Sequence, residues 1–141
     1  METWPAIGLH KCSFEEPDII FMELIGHVSA EEGTEINRRH RVMGEGKDYV
    51  FFLIDLAELD SIHPDVRKEA GTVLKNLPVR GAFAYGAPLK AKVIAKLIFT
   101  AMNMFKSAAD KITVDFFDTQ DEARAAVSRR RDGLLLLRRP A

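Results

Sequence analysis

The sequence predicts an α/β domain: one mixed sheet of about five strands with about four helices, in the order β-β-α-β-α-β-α-β-α. Three observations predict it. Strand-like and helix-like segments alternate along the chain. The run Tyr49-Val50-Phe51-Phe52-Leu53-Ile54-Asp55-Leu56 is nearly uninterrupted apolar sequence, the pattern of an inner strand covered on both faces. A capping box or a proline stands just ahead of most of the helical segments.

Each element follows in order. Residues 10–15 and 19–28 read as two strands, and Glu15-Glu16-Pro17-Asp18 between them has the turn chemistry of a hairpin. Ser29-Ala30-Glu31-Glu32 is a capping box, and Ile36, His40 and Met43 share one face of the helix it opens. Gly44 and Gly46 end that helix before the inner strand. Pro64 suits the first turn of a second helix, whose stripe is Val66, Ala70, Val73, Leu74 and Leu77. Pro78 closes it, and residues 79–85 form the next strand. Pro88 opens a third helix, with Leu89, Val93, Leu97, Ile98, Ala101, Met102 and Phe105 expected on its core side. Residues 112–117 are the last strand. The box Thr119-Gln120-Asp121-Glu122 then starts a helix expected to run to about Arg131, where Asp132-Gly133 breaks it.

The 141 residues are expected to form one domain, with 131–141 as a C-terminal tail. A chain of this length buries roughly 70% of its unfolded surface, so it needs no disulfide or metal staple. With 47% apolar and 29% charged residues, it is globular rather than disordered. Lys and Arg number 20 against 21 Asp and Glu; the net charge of −1 gives no global electrostatic argument for nucleic acid. The single Cys12 fits a reducing compartment. The start METWPAIGLHKC lacks the basic stretch and long apolar run of a secretory signal, and no apolar run approaches the ~20 residues of a membrane span. The expected location is the cytoplasm.

The segment Phe52-Leu53-Ile54-Asp55-Leu56-Ala57-Glu58-Leu59 resembles the "strand, Asp, Leu, small" stretch of STAS domains, the anti-sigma-factor-antagonist fold. Ile62-His63-Pro64-Asp65-Val66-Arg67-Lys68 is similar to the SpoIIAA-like, or STAS/CRAL-TRIO-like, bacterial family. So are Ala82-Phe83-Ala84-Tyr85-Gly86 and Phe116-Phe117-Asp118-Thr119-Gln120-Asp121-Glu122-Ala123. The resemblance spans about His10 to Arg131 and rests on the order and spacing of segments. It implies a regulatory, protein-binding module without catalysis, and on the CRAL-TRIO side a carrier or sensor of lipid-like molecules. Anti-sigma antagonists carry a phosphorylatable Ser at a helix start; here Pro64-Asp65 falls at that place, with Ser61 three or four positions early. Pro64 removes one of the amides that would hold a phosphoryl group.

Ligands of such sheets usually sit beyond the carboxyl ends of the strands. The candidate ligand residues there and beside the third helix are Asp55, Ser61, His63, Phe83, Tyr85, Leu97, Ile98 and Met102. Asp55 and His63 could serve as an acid–base pair. The competing structural reading is that Asp55 and Ser61 satisfy loop amides while His63 caps a helix. No nucleophile motif accompanies them, and no catalytic residue is assigned. His10, His27, His40 and His63 are scattered without ligand spacing, so neither metal nor cofactor is expected. His40 reads as a satisfied, partly buried imidazole. Gly44-Glu45-Gly46-Lys47-Asp48 lacks the spacing of a phosphate loop and reads as a turn.

The third helix is apolar beyond one stripe, and Phe99, Met104 and Phe105 are its candidate interface residues. Lys90, Lys92, Lys96 and Lys106 along it would suit an acidic partner or a peripheral contact with anionic lipid. A homodimer interface is the competing reading. Leu134 to Leu137 are expected to dock on the domain or on a second copy. Three functions are ranked: a protein-binding STAS-like module; a lipid-like ligand carrier with a cavity of about 300 Å3 or more lined by Phe83, Tyr85, Leu97, Ile98 and Met102; and an enzyme using Asp55 and His63.

Overall fold

Cys12 and Phe14 alternate inward from β1 (Lys11–Glu15), which turns back at Pro17 into β2 (Ile19–Glu23) as an antiparallel hairpin. The structure, a computed structural model, describes residues 4–104 and 106–137. The remaining strands and α-helices are β3 (Gly26–Val28), α1 (Ala30–Gly44), β4 (Val50–Asp55), β5 (Leu59–Ile62), α2 (Pro64–Val73), β6 (Val79–Tyr85), α3 (Leu89–Asn103), β7 (Val114–Phe117) and α4 (Gln120–Leu137), with a 3-10 turn at Ala108–Asp110. The main sheet is a mixed one of five strands in the order β1-β2-β4-β6-β7, parallel from β2 onward. With four helices against it, this is the α/β architecture expected.

β4 is the inner strand. Its residues alternate between two cores because side chains on a strand point to opposite faces. Val50, Phe52 and Ile54 meet the layer containing Ile36 of α1, Ala70 of α2 and Ala95 of α3. Phe51 and Leu53 point the other way, toward Ala123, Ala126 and Val127 of α4. β6 obeys the same period: Ala82 and Ala84 face the first layer, Phe83 and Tyr85 the second. The capping box of α1 forms as the sequence indicates: Glu32 N–H donates to Ser29 Oγ at 3.1 Å, and Ser29 N–H to Glu32 Oε1 at 2.9 Å. Gly33 then lies so close to Val66 that a Cβ there would collide with the valine side chain, which fixes how α1 crosses α2.

Four expectations are corrected. The strand expected over 19–28 is two strands, because Gly26 adopts φ +70 and redirects the chain. The freed piece, β3, pairs in parallel with β5, a strand the sequence reading did not contain. α3 is turned from the orientation expected. Its buried side is Ala91, Ala95, Phe99 and Met102, whereas Leu89, Val93 and Leu97 are exposed. Two apolar stripes compete on this helix, and the one bearing alanines lets the helix backbone approach the sheet closely. Finally, α4 continues through Asp132-Gly133 to Leu137. A helical glycine costs only about 1 kcal/mol relative to alanine. Here Leu134 packs on the second core, while Leu135, Leu136 and Leu137 face outward rather than docking on the domain.

Candidate functional site

The carboxyl ends of the parallel strands carry the polar cluster expected there, but its members take separate partners. Asp55 closes β4, and its Oδ1 accepts from Ala57 N–H at 3.1 Å. In the strand register it lies opposite Tyr85, whose hydroxyl accepts from Gln120 Nε2 at 2.7 Å. Burial, and then the nearby Asp55 carboxylate, push the Tyr85 phenol up to about 12. His63 is the N-cap of α2: its Nδ1 accepts from Asp65 N–H at 3.1 Å, which leaves Nε2 to carry the ring proton. Ser61, on β5, lies 2.7 Å from His27 Nδ1, its register partner on β3. Lys90, in the first turn of α3, reaches Asp60 at 3.1 Å. This is the structural reading of Asp55 and His63, a loop amide satisfied and a helix capped; Ser61 is engaged by His27 rather than by a loop amide.

The five residues expected to line one cavity are divided by the sheet. Phe83 and Tyr85 belong to the α4 side. Ile98 and Met102 belong to the other side, and Leu97 is on the outer surface of α3. The cavity between the sheet and the first helix layer has a volume of about 80 Å3 and is lined by Ile98, Phe99 and Met102, with Met22, Phe52 and Ile54 beneath them. The sheet therefore removes the lipid-sized pocket in the form expected.

Among the interface candidates, Phe99 is buried against Phe52, at 6.2 Å between ring centroids, and is core rather than interface. Met104 is exposed, and Phe105 lies outside the described residues. The outer face of α3 instead carries Leu89, Val93, Leu97 and Met104, at 78, 51, 47 and 68% exposure. Lys90 borders this row on one side and Lys96 on the other, following the 3.6-residue period.

Four further residues have partners or surroundings that only the folded chain shows. His10 is buried; its Nδ1 accepts from Ile25 N–H at 3.1 Å, so Nε2–H donates to Glu32 Oε1 at 3.3 Å. His27 pairs with Ser61 as described. His40 is buried as its place on the apolar face suggests, but neither ring nitrogen has a hydrogen-bond partner, which corrects the reading of a satisfied imidazole. Nδ2 of the buried Asn37, one turn earlier on that face, is also unpaired. The i, i+3 spacing of Asn37 and His40 was the available signal. Among the described residues no group of three or more His, Cys, Asp or Glu could hold a metal ion. Burial pushes the Cys12 thiol up to about 12, far from the range of a reactive thiolate. No helix among the described residues is long and apolar enough to cross a membrane.

A mixed five-stranded sheet with three helices on one face and one on the other makes this a three-layer α/β module. Solved structures bear on the fold directly. The chain is similar to an uncharacterised protein of the DUF3478 family with a SpoIIAA-like fold from Shewanella loihica PV-4, at 14% identity and TM-score 0.58 over 83% of this chain and 90% of that one. It is also similar to the anti-sigma factor antagonist SpoIIAA in its unphosphorylated form, at 11% identity and TM-score 0.56 over 84% of this chain and 97% of that one. The fold is therefore SpoIIAA-like. No family model and no curated protein matches the sequence.

Proposed function

We propose that this protein is a non-enzymatic regulatory module that binds another protein through the outer face of α3. One observation carries the reading: α3 has a second apolar stripe, Leu89, Val93, Leu97 and Met104, turned to solvent and bordered by lysines. Scattered exposed leucines are ordinary, but apolar side chains repeated along one exposed helix face with a charged rim mark an interaction surface. The fitting partner presents an apolar row of its own with acidic residues beside it. The SpoIIAA-like fold supports the reading, since one structure of that fold is of an anti-sigma factor antagonist. The start of α2 is unlike a phosphorylation switch: Pro64 removes one amide, and His63 already occupies that of Asp65.

The test replaces Leu89 and Leu97 together by glutamate. The double variant keeps the wild-type melting temperature and loses a partner crosslinked from a photoreactive group placed at Val93. Equal crosslinking by both proteins to the same partner overturns the reading. Sedimentation of the pure protein separates the homodimer alternative, and flotation with vesicles containing anionic lipid separates a peripheral membrane contact.

A further inference from the structure

The 80 Å3 cavity between sheet and helices is apolar except at Asn37 and His40. Both are buried, and both leave hydrogen-bonding atoms without partners: Nδ2 of Asn37, and Nδ1 and Nε2 of His40. Native proteins rarely keep such atoms orphaned, and here three of them sit on neighbouring turns of α1 in residues lining one void. The His40 ring is held against Phe52, with centroids 5.0 Å apart and the planes tilted by 44°. Burial brings the imidazole down to about 3, so near neutral pH it offers one donor and one acceptor. No lysine, arginine or carboxylate lines the cavity. The site is built for an uncharged group that both donates and accepts, which is the chemistry of a hydroxyl.

A second hollow of about 140 Å3 lies outside, bounded by Pro64, Arg67, Ile94 and Leu97, and it shares Ile62 and Ile98 with the inner cavity. Ile62 and Ile98 therefore stand between the inner cavity and the outer hollow. An apolar cavity of roughly 150 Å3 admits benzene, so the inner space alone holds a body of only a few heavy atoms. A longer body would have to extend out of it, and the pair of isoleucines that lines both hollows marks the route.

We propose that this cavity binds a small, uncharged aliphatic molecule ending in a hydroxyl, with the hydroxyl at Asn37 and His40 and the chain directed past Ile62 and Ile98. The site lies beneath α3, but the outer hollow shares Leu97 with the face proposed for partner binding, so a partner seated there would cover the entrance.

The test titrates the full chain with hexan-1-ol and with 1-chlorohexane, which matches its chain but lacks the hydroxyl. Methyl signals of Ile54, Ile98 and Met102 and the ring nitrogens of His40 are followed by NMR. Saturable shifts at all of these are expected with hexan-1-ol, at an affinity about five- to tenfold tighter than that of 1-chlorohexane, the worth of a net hydrogen bond. His40→Leu should weaken hexan-1-ol to the level of the chloride. If that variant does not fold, the comparison on the wild-type chain decides alone. Absence of saturable shifts, equal binding of the two probes, or ordered water that stays at His40 and Asn37 at saturating hexan-1-ol overturns the proposal.

Discussion

Arg131 grips Asp18 through two hydrogen bonds, Nε to Oδ2 at 2.8 Å and Nη2 to Oδ1 at 2.6 Å. The carboxylate is buried, and the backbone carbonyl of the same aspartate accepts from Phe51 N–H at 2.8 Å. One residue thus joins the β1–β2 turn, the inner strand and α4. Seven residues earlier on α4, Arg124 holds Glu15 in the same two-pronged way, at 2.7 and 3.0 Å. Together the two arginines pin α4 to the hairpin across the second core.

Removing one partner of a buried ion pair strands the other charge, which costs about 3 kcal/mol or more. Arg131→Ala is therefore expected to lower the unfolding free energy by that amount, read as a lower urea midpoint with an unchanged m-value. A loss under about 1 kcal/mol would show that Asp18 reaches water in the folded protein.

His40 predicts a pH dependence. Burial holds it at about 3 in the folded protein against 6.5 for an unperturbed histidine. Between those values the unfolded chain binds a proton that the folded protein does not, so stability falls as pH drops through the window. The slope from this one residue is at most about 1.4 kcal/mol per pH unit. Glu15, Glu32 and Glu35 are held below their ordinary values by hydrogen bonds, chiefly from Arg124, the Ser29 amide and Arg38 respectively. They act in the same direction at lower pH but are ionised in both states above about pH 5. Between about pH 5 and 6.5 the contribution of His40 is the difference between the slopes of the wild type and of His40→Leu, and the substitution should flatten the slope in urea melts. An unchanged slope would mean that the imidazole is not sealed from solvent.

The orientation of α3 gives a paired prediction. Phe99 is buried against Phe52, so Phe99→Ala should cost about 3–5 kcal/mol. Leu97, two residues earlier, is half exposed, so Leu97→Glu should stay within about 0.5 kcal/mol of the wild type. Similar losses from both would place Leu97 in the core and remove the surface on which partner binding is proposed.

What could be read beforehand depended on how local the determining physics is. The cap of α1 needs only Ser29 and Glu32, and the cover over β4 needs only its own apolar run, so both were legible. The alternation in β6 was equally legible. It separates Phe83 and Tyr85 from Ala82 and Ala84, yet the expected pocket joined residues from opposite faces of the sheet. α3 offered two stripes of similar hydrophobicity, and the choice between them lay in the sheet beneath rather than in the helix. β5 was beyond local reading: Leu59-Asp60-Ser61-Ile62 has two polar residues in four, and its partner strand ends at Val28, more than thirty positions back. Burial of His40 followed from its place on α1, but whether its nitrogens find partners depends on Phe52, Ile54 and Met102, brought there by tertiary packing.

The last prediction separates a helix that ends at Gly133 from one that continues. A glycine that stops a helix usually adopts positive φ, where alanine is strained and destabilising. Gly133 is not among the glycines with positive φ, and a Cβ added there meets nothing within 4 Å. It is an interior residue of α4, with Leu134 beyond it packed on the second core. Gly133→Ala should therefore stabilise the protein, by up to about 1 kcal/mol, through the lower backbone entropy of the unfolded chain. The gain would be read as a higher urea midpoint together with slower amide exchange around residues 130–134. A lower midpoint would put the end of α4 at Asp132, free Leu134 from the second core, and restore a tail beginning near Arg131.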